Sequence, residues 1–483
     1  MIQQTNHRYD STVIPTENVL VSIIGGGASA VLLLRAIAKR LDNSSSGVEF
    51  HLFDATGEWG RGYAYKTKSN VYLLNTSAHS MSVDEEDRND FLIWLKDRPS
   101  GLGQIPRSLY GDYLQQRLAE SVSKLAATGH RVHLHSKYVK CLKVGSRHKI
   151  ITSDFELEVD HCIIATGGSQ NNPMQEIKSD RYIQSALDEN KLKQIPRGSS
   201  VGLLGAGQSA IDVCLFLESR QVVDRYTLVS RGGVLPRVKS DLSSASTGIP
   251  LQQPTSVAQA KTGILRKIRW QNSATQKIRS GSFRAMEADL KRALRTKPSW
   301  QTAMSEMTPW INTIWGDADL ESRARFLTQD FRSLHHLRSA IPPTTAKKFL
   351  SLHQQARLEV VSGPYRIRCI DSHFEYIGKD MRRTFDYLVN ATGIGAASFS
   401  GMLSNDISSF NVNVNSRGGL NVEPRSMRLL CGNDKPVRGL YAIGYPSIGN
   451  VLIVNSIELI RQSATVIART IFPNSNNPKD ITK

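Results

Sequence analysis

Short apolar runs that end in glycine-rich turns predict the main strands of this chain. Residues 19–24 lead into Gly-Gly-Gly-Ala-Ser-Ala at 25–30, and residues 201–204 lead into Gly-Ala-Gly-Gln-Ser-Ala at 205–210. Runs of this length between turn residues are typical of buried parallel strands. A helical pattern follows each turn, so the sequence predicts two strand–turn–helix units of an α/β fold.

Further periodic segments extend these two units. An apolar stripe predicts a helix over 109–127, and a second long helix is expected over 451–471, with Ser447 or Asn450 as its cap. Between 248 and 343 the pattern becomes helical and basic, which indicates an inserted helical segment. The remaining apolar runs predict strands at 48–53, 162–164, 225–229, 387–390 and 439–444.

Both glycine-rich turns have the residue spacing of a dinucleotide-binding fingerprint. The first glycine of each allows a tight turn, the second lets the backbone approach a pyrophosphate, and the following helix points its N-terminus at the phosphates. Each turn alone also fits a plain strand-to-helix connection, but two in the same context favour a protein that binds two dinucleotides. The predicted cofactor contacts are Gly25, Gly27, Ala28, Ser29 and Ala30 in the first fingerprint, and Gly205 and Gly207 in the second.

The residue that ends the second strand of each unit distinguishes the two cofactors. Asp54 follows the strand at 48–53, and a carboxylate there accepts hydrogen bonds from an adenosine ribose, which favours FAD. Ser230 and Arg231 follow the strand at 225–229, where a hydroxyl and a guanidinium suit the 2′-phosphate of NADPH. A turn cap is the competing explanation for Asp54, and a solvated surface position for Arg231. Two Ala-Thr-Gly segments after apolar strands add the predicted cofactor contacts Thr166, Gly167, Thr392 and Gly393.

Over residues 19–471 these motifs resemble the two-dinucleotide-binding-domain flavoproteins. That group includes flavin monooxygenases, N-hydroxylating monooxygenases and pyridine nucleotide–disulfide reductases. Gly-Arg-Gly-Tyr-Ala-Tyr at 60–65, Leu-Leu-Asn-Thr-Ser-Ala at 73–78 and the stretch at 336–342 resemble the YdhS-like FAD/NAD(P)-binding oxidoreductases. Gln208 within the second fingerprint is similar to the lysine and ornithine N-hydroxylases.

This resemblance implies two Rossmann-like, three-layer ββα domains, with the NADPH domain inserted into the FAD domain. The FAD domain is expected at 19–175 and 386–483, and the NADPH domain, with its helical insertion at about 248–343, at 176–385. Residues 1–18 are expected to form a disordered arm. The resemblance carries NADPH contacts onto Gln208 and Ser209, and flavin-flanking roles onto Gly62, Tyr63 and Asn75.

One position departs from the family pattern. Many relatives have an aspartate that touches the ribityl chain after the last strand glycine, whereas this chain has Tyr445 after Gly444. Backbone amides in the following loop can still bind the flavin ring, so Gly444, Gly449 and Asn450 are retained as predicted flavin contacts.

Composition narrows the remaining classes of protein. The chain has 483 residues, of which 40% are hydrophobic, and this length is sufficient for two or three domains. No apolar run reaches the ~20 residues of a membrane helix, and the first 18 residues lack the apolar core of a signal peptide. A cytoplasmic protein without membrane contact is therefore expected.

Cysteine, histidine and charge patterns add three further expectations. The five scattered cysteines include no Cys-x-x-Cys pair, which argues against a disulfide-reductase mechanism. No metal site is expected, because no His/Cys spacing predicts one, and His130, His133 and His135 are interpreted as a surface face. The net charge of +18 is spread thinly along the chain. Two polyanionic cofactors, an acidic substrate and a solvated surface therefore explain it better than nucleic acid does.

The favoured function is a FAD-dependent, NADPH-consuming monooxygenase that uses dioxygen and hydroxylates a nitrogen of a small-molecule substrate. The alternatives are a reductase or dehydrogenase that inserts no oxygen, and a flavin-bound interaction or sensing protein with an acidic partner. Tyr63, Asn75 and His79 are the candidate catalytic residues, with Tyr65 and His336 as further pocket candidates. Ordinary polar positions are the competing explanation for both histidines. The tryptophans of the insertion form either its core or part of a substrate pocket: Trp270, Trp300, Trp310 and Trp315.

Overall fold

The computed structural model describes residues 18–41, 47–96, 98, 105–241, 283–297, 299–395, 414–432 and 434–473. The predicted arm up to residue 17 lies outside this part of the chain, as does the start of the insertion at 248–282 with Trp270. Among the described helices, none combines the length and the apolar composition needed to cross a bilayer.

The first sheet has six strands, and the strand of the first fingerprint lies inside it. Val19–Ile24 pairs in parallel with Val48–Phe53 on one side and with His161–Ile164 on the other. Val48–Phe53 is buried along its whole length, as expected for a strand covered on both faces. The order across the sheet is Arg428–Cys431, Lys435–Ala442, His161–Ile164, Val19–Ile24, Val48–Phe53 and Arg131–His135, with the first pair antiparallel and the others parallel.

Helices and a small antiparallel sheet contribute the other two layers of this unit. Ala28–Arg40 packs against Arg107–Ala127 and against Ile457–Ile471. Apolar side chains of the small sheet join the same hydrophobic core as these helices. The result is the three-layer ββα arrangement that the family resemblance implies. The strands of the small sheet are Cys141–Lys143, His148–Ile151 and Glu156–Val159.

The second sheet has five parallel strands and repeats the plan of the first. Ser199–Leu204 carries the second fingerprint and pairs with Val223–Ser230 and Tyr387–Asn390. Its helix, Gln208–Glu218, contacts Pro343–Gln354, which in turn contacts Phe283–Ala293. The strand order is Leu358–Ser362, Val223–Ser230, Ser199–Leu204, Tyr387–Asn390 and Tyr182–Ile183. A separate antiparallel sheet of three strands follows Leu358–Ser362 in the chain. Its strands are Arg366–Ile370, His373–Ile377 and Arg382–Phe385.

The chain returns to the first unit later than the sequence predicts. Tyr387–Asn390 pairs in parallel with Val201 to Leu204, so the predicted boundary at 386 assigns this strand to the wrong unit. Beyond it, Ile394–Gly395 pairs antiparallel with Ser169–Gln170, where the chain first left the first unit. The two crossovers between the units therefore lie side by side.

The described part of the helical insertion packs on the C-terminal part of the chain. Trp300 and Trp315 are buried in a cluster that also contains Leu452, Ile453 and Leu459. The core interpretation therefore holds for Trp300 and Trp315, whose core is shared with the first unit, whereas Trp310 is half-buried and lies outside this cluster. The helices of the insertion are Phe283–Ala293, Ser299–Met307, Ile311–Gly316, Leu320–Gln329 and Phe331–Arg338, with a 3-10 turn at Thr308–Trp310.

The two long predicted helices differ in how well their starts were predicted. The helix expected over 109–127 extends from Arg107 to Ala127, close to the prediction. The helix expected over 451–471 begins later, at Ile457, and Ser456 occupies its N-cap position. Asn312 explains the delay, because it donates to Ile453 O at 2.9 Å and accepts from Ile453 N at 3.0 Å, which holds this backbone outside the helix. The remaining short helical elements are Gly62–Tyr65, Ala78–Ser80, Asp90–Leu95, Glu189–Leu192 and Tyr445–Ser447.

Candidate functional site

The first fingerprint forms a tight turn at the carboxyl end of its strand. Gly25 N donates to Phe53 O at 2.7 Å, and Gly25 has a φ of +114°. A Cβ at Gly25 would collide with the carbonyl of Ala165, so both the backbone angle and the space require glycine. The turn therefore lies against the first Ala-Thr-Gly segment, which places the predicted contacts Thr166 and Gly167 beside it.

The helix that follows this turn leaves its N-terminus available for an anion. Ala28–Arg40 begins directly after Gly27, and among the described residues no side chain caps it and no acidic residue lies in its first turn. The first amides of a helix have no intrahelical acceptor, and the helix dipole makes this end positive. Gly444 adjoins this end, because a Cβ there would lie 2.8 Å from Ser29 Oγ. The arrangement fits a pyrophosphate.

Asp54 has a structural role in addition to the predicted ribose contact. Its Oδ2 accepts from Gly26 N at 2.9 Å, and its Oδ1 accepts from Thr56 N at 2.9 Å and from Thr56 Oγ1 at 2.6 Å. Asp54 therefore caps this turn, as the competing explanation proposed. Because a carboxylate has about four lone-pair sites, capacity remains for a ribose hydroxyl, and that contact stays a prediction.

The loop expected to flank the flavin packs directly on the first fingerprint. A Cβ at Gly62 would lie 3.1 Å from Gly27 Cα, so the two backbones are in close contact. Tyr63 Oη lies 2.7 Å from Ser185 Oγ, and burial raises the pKa of this phenol. Tyr65 packs edge-on against Tyr110, and burial raises its pKa to about 12. Both phenols are therefore neutral near pH 7.

The second fingerprint repeats the turn but leaves its second glycine open. Gly205 N donates to Val229 O at 2.7 Å, φ is again +114°, and a Cβ would lie 2.6 Å from Ala391 O. At Gly207, by contrast, no described atom lies within 4 Å of where a Cβ would be. Packing against the described residues therefore does not require glycine at this position, and close approach of a ligand to Gly207 stays a prediction.

Two predicted NADPH contacts differ in what surrounds them. Gln208 Nε2 donates to Ala340 O at 3.2 Å, so its amide already has a partner within the chain. Arg231 directly follows Ser230 at the end of the second strand and is exposed. Arg231 O accepts from Gly363 N at 3.2 Å, which fixes the backbone and leaves the guanidinium at the surface. The contacts of Ser209, Ser230 and Arg231 with a cofactor stay predictions.

The three candidate catalytic residues have separate surroundings. Asn75 O accepts from Lys239 Nζ at 2.6 Å, whereas Tyr63 bonds to Ser185. His79 is exposed in the short turn Ala78–Ser80. Among the contacts of the described residues, none joins these three side chains, so a catalytic unit built from them gains no support.

Lys239 makes a contact between the two units that sequence reasoning missed. It comes after the strand Val223–Ser230 in the chain, and its amine reaches across to the Asn75 loop of the first unit. Burial lowers the pKa of Lys239. Lys239 N also donates to Ile341 O, next to the Ala340 carbonyl that Gln208 contacts. The helix of the second fingerprint is thereby linked to the predicted flavin loop. Nothing in the sequence signals this link, because Lys239 and Asn75 are distant in the chain.

An ion pair makes a second link between the two units. Arg107 Nη2 donates to Asp212 Oδ2 at 2.7 Å, and Arg107 Nε donates to Leu73 O at 3.0 Å. Asp212 lies in the helix of the second fingerprint, and burial raises the pKa of its carboxyl. Neither residue stood out in the sequence, because they are distant in the chain.

The C-terminal loop is held against the helical insertion. Gly449 O accepts from Trp315 Nε1 at 2.8 Å, and Asn450 Oδ1 lies 3.3 Å from Asn415 Nδ2. Gly449 has a φ of +104°, so its conformation favours glycine. Tyr445 is half-buried, and burial raises its pKa, so a neutral phenol stands where the family resemblance predicts an aspartate. The predicted flavin contacts of Gly444, Gly449 and Asn450 stay predictions.

The histidines interpreted as a surface face are more buried than expected. His130 is 3% exposed, and its Nδ1 accepts from Val48 N at 3.2 Å, so the interpretation is wrong for this residue. His133 is opposite His51 in the sheet register, and the two rings stack with centroids 4.7 Å apart. Strand pairing therefore turns these side chains toward neighbours that the local sequence does not reveal.

Comparison with known proteins supports the first unit most directly. A family model described as FAD-NAD(P)-binding matches residues 22–169. This segment contains the first fingerprint and Asp54, and ends after the first Ala-Thr-Gly segment. A search of the curated proteins finds no match.

Solved structures resemble the chain over almost its whole length. Ornithine hydroxylase (PvdA) from Pseudomonas aeruginosa is 13% identical, with a TM-score of 0.62 over 94% of this chain and 98% of that one. Ornithine N-hydroxylase (KtzI) from Kutzneria sp. 744 is 15% identical, with a TM-score of 0.58 over 95% and 99%. Bacillithiol disulfide reductase (YpdA) from Staphylococcus aureus is 13% identical, with a TM-score of 0.51 over 94% and 98%.

At sequence identities this low, the similarity to these structures shows the fold alone. The α/β fold class with two dinucleotide-type units is thereby confirmed. Residues 22–169 match the FAD-NAD(P)-binding family model, and the geometry of the first fingerprint agrees with that match, in a chain whose overall fold is similar to those of the solved structures named above.

Proposed function

We propose that this protein is a FAD-dependent, NADPH-consuming monooxygenase that hydroxylates a nitrogen of a small molecule. The observation that carries the proposal is that one chain holds two dinucleotide fingerprints, each on a strand with parallel neighbours in its own sheet. Their units are joined by adjacent crossovers, Ser169–Gln170 and Ile394–Gly395. Such an arrangement suits hydride transfer between two cofactors, because a reduced nicotinamide must reach the flavin ring.

The structural neighbours support the choice of reaction. One neighbour is named as an ornithine N-hydroxylase with reduced FAD, NADP⁺ and L-ornithine. Others are named as an L-lysine 6-monooxygenase from Pseudomonas syringae and a cadaverine monooxygenase from Erwinia amylovora. All of these named substrates carry a primary amine. An amine is therefore the first substrate class to test, and the substrate itself is left open.

The residues of this chain would bind and orient the two cofactors. The N-terminus of Ala28–Arg40 would hold the FAD pyrophosphate, and Asp54 would accept from the ribose. Gly207 would allow the NADPH pyrophosphate to approach, and Arg231 would pair with the 2′-phosphate. When bound, the flavin supplies hydride acceptance and the reaction with dioxygen.

The regions between the two fingerprints would set orientation and exclude water. Lys239 and Arg107 link the Asn75 and Leu73 segments to the second unit, which would fix the spacing of the two cofactor sites. The helical insertion covers the loop at Gly449 through Trp315. A closed cleft would protect oxygen chemistry from side reactions with water.

A reductase or dehydrogenase is the second candidate, since one neighbour is named as a disulfide reductase. The five cysteines all lie within the described residues and are free thiols. Burial raises the pKa of Cys162 and of Cys214, which makes both poor nucleophiles at neutral pH. The chain thus lacks an evident dithiol relay among its described residues, which favours the monooxygenase.

Absorption spectra of the purified protein, before and after anaerobic addition of NADPH, test the common basis of both candidates. A flavin spectrum that bleaches is expected. Oxygen uptake and product mass are then measured with ornithine, lysine and cadaverine as probes. Amine-dependent oxygen uptake with a mass gain of one oxygen supports the proposal. Anaerobic turnover with an organic acceptor, without oxygen insertion, would replace it with the reductase. Bound flavin that NADPH never reduces would favour a sensing protein.

A further inference from the structure

Three possible metal ligands meet at one edge of the first sheet, away from the fingerprints. Glu49 and His51 are two positions apart in the strand Val48–Phe53, so both side chains project from the same face. His133 lies opposite His51 on the edge strand Arg131–His135. The sequence gives no sign of this group, because the sheet register unites residues far apart in the chain.

The three ligand atoms are close enough to share one ion. Glu49 Oε1 lies 2.9 Å from His133 Nε2 and 3.4 Å from His51 Nε2, and all three atoms lie within 4.8 Å of one another. Tetrahedral zinc with bonds of ~2.1 Å spaces its ligand atoms ~3.4 Å apart. The separation between Glu49 and His51 already suits such a site, and small rotations of the His133 imidazole would adjust the other two.

Both imidazole nitrogens at the centre lack a satisfactory hydrogen bond. His51 Nε2 and His133 Nε2 are buried, and neither has a well-directed partner among the described residues. The side chain of His51 is only 2% exposed, so water does not readily replace the missing partner. Leaving buried polar atoms unpaired is costly, and an ion bound to all three groups removes that cost.

The surrounding residues would orient these ligands. His51 Nδ1 lies 3.0 Å from His135 Nε2, and a proton donated by His51 Nδ1 to His135 Nε2 leaves a lone pair on His51 Nε2. Histidine ligands of metals commonly make such a contact through their second nitrogen. Arg131 Nη2 lies 2.8 Å from Glu49 Oε2, which leaves Glu49 Oε1 for a metal.

We propose that Glu49, His51 and His133 bind a divalent transition-metal ion of the Zn²⁺ class. Two imidazoles and one carboxylate suit such ions, whereas Mg²⁺ and Ca²⁺ prefer oxygen ligands throughout. The His133 side chain is 36% exposed, so an ion can enter from this side, and water can take the fourth position.

The ion would be structural, tying the edge strand to its neighbour. His51 is three residues from Asp54 along the strand, a distance of ~10 Å, so the ion lies outside the proposed dinucleotide contacts. Asp54 N nevertheless donates to His135 O at 3.0 Å, and a tighter edge would therefore steady the loop after Asp54. The competing explanation is a metal-free polar network in which Arg131 neutralises Glu49.

The test uses the full-length protein, free of any affinity tag and treated with a chelator. Equilibrium dialysis against Zn²⁺ is expected to give one bound ion per chain. Glu49→Gln and His133→Ala are each expected to weaken binding by ~100-fold or more, and His135→Phe by ~10–100-fold through loss of ligand orientation. His373→Ala, which removes a histidine from the second unit, is the matched control and should bind as the wild type does.

Folding of each variant is checked by its flavin content and melting temperature. If Glu49→Gln does not fold, His133→Gln at the partly exposed edge gives the same comparison. X-ray absorption at the zinc edge should show nitrogen and oxygen ligands without sulfur. Absence of zinc binding by the wild type, or equal binding by the His133 variants and the control, would overturn the proposal and leave the polar network.

Discussion

Alanine at the two glycines of the second fingerprint is expected to cause two different failures. At Gly205 the φ of +114° is costly for any residue with a Cβ, and that Cβ would lie 2.6 Å from the carbonyl oxygen of Ala391. A left-handed backbone costs ~1–2 kcal/mol. Because the opposing atom is backbone, relief of the clash adds to this, and a total loss of ~2–4 kcal/mol is expected. For a domain of this size that lowers the melting temperature by ~5–15 °C.

Gly207→Ala is the matched variant, because its site differs in the property that matters. Its φ of −89° suits alanine, and no described atom would contact the new methyl group. A small loss from the changed N-cap, ~0.5–1 kcal/mol, is expected. The methyl group would instead occupy the space that a pyrophosphate needs, so NADP⁺ binding should weaken by ~10-fold or more, which is ~1.4 kcal/mol.

Differential scanning fluorimetry and isothermal titration with NADP⁺ separate these effects. Gly205→Ala should melt early, whereas Gly207→Ala should melt near the wild type and bind NADP⁺ poorly. Both variants should keep their FAD, because the first fingerprint is untouched. If Gly207→Ala binds NADP⁺ as tightly as the wild type does, the second fingerprint does not hold the pyrophosphate and the assignment of that site fails.

Three further predictions concern cofactor choice, interdomain packing and pH. Arg231→Ala should weaken NADP⁺ binding by ~10–150-fold, which corresponds to the loss of a charge-assisted hydrogen bond of about 1.5–3 kcal/mol. NAD⁺ binding should change little. Equal losses of affinity for NADP⁺ and NAD⁺ in titrations would contradict this prediction. Asn312→Ala leaves Ile453 N and O without their hydrogen-bond partners, so the free energy of unfolding should fall by ~2 kcal/mol. An unchanged melting curve would show that this contact does not stabilise the fold. Hydrogen bonds from Ser200 lower the pKa of Asp386. The ionised carboxylate therefore stabilises the fold fully above pH ~4. This stabilisation is lost as the pH falls through the lowered pKa. The melting advantage of the wild type over Asp386→Asn should therefore shrink below pH 4, and a constant difference between the two melting profiles would count against this reasoning.

Local sequence determined the two fingerprints because their geometry is local. A short buried strand, a glycine with positive φ and an uncapped helix start lie within a dozen residues of one another, so their pattern predicts their structure. Asp54 and Arg231 could be found in the same way, since each follows directly after a predicted strand. The fold class follows from repetition of this unit, and the likeness to solved structures confirms it.

Tertiary structure decided whatever depends on contacts between distant segments. The strand Tyr387–Asn390 joined the second sheet because its partner strand was there, and Ile453 stayed outside a helix because Asn312 bonds to its backbone. The link from Lys239 to the Asn75 loop and the group around Glu49 arose in the same way. Sequence periodicity reports which face of an element is apolar but not which element will cover it. Register and domain packing choose the partners, and at these places they formed the links between the two units and the proposed metal site.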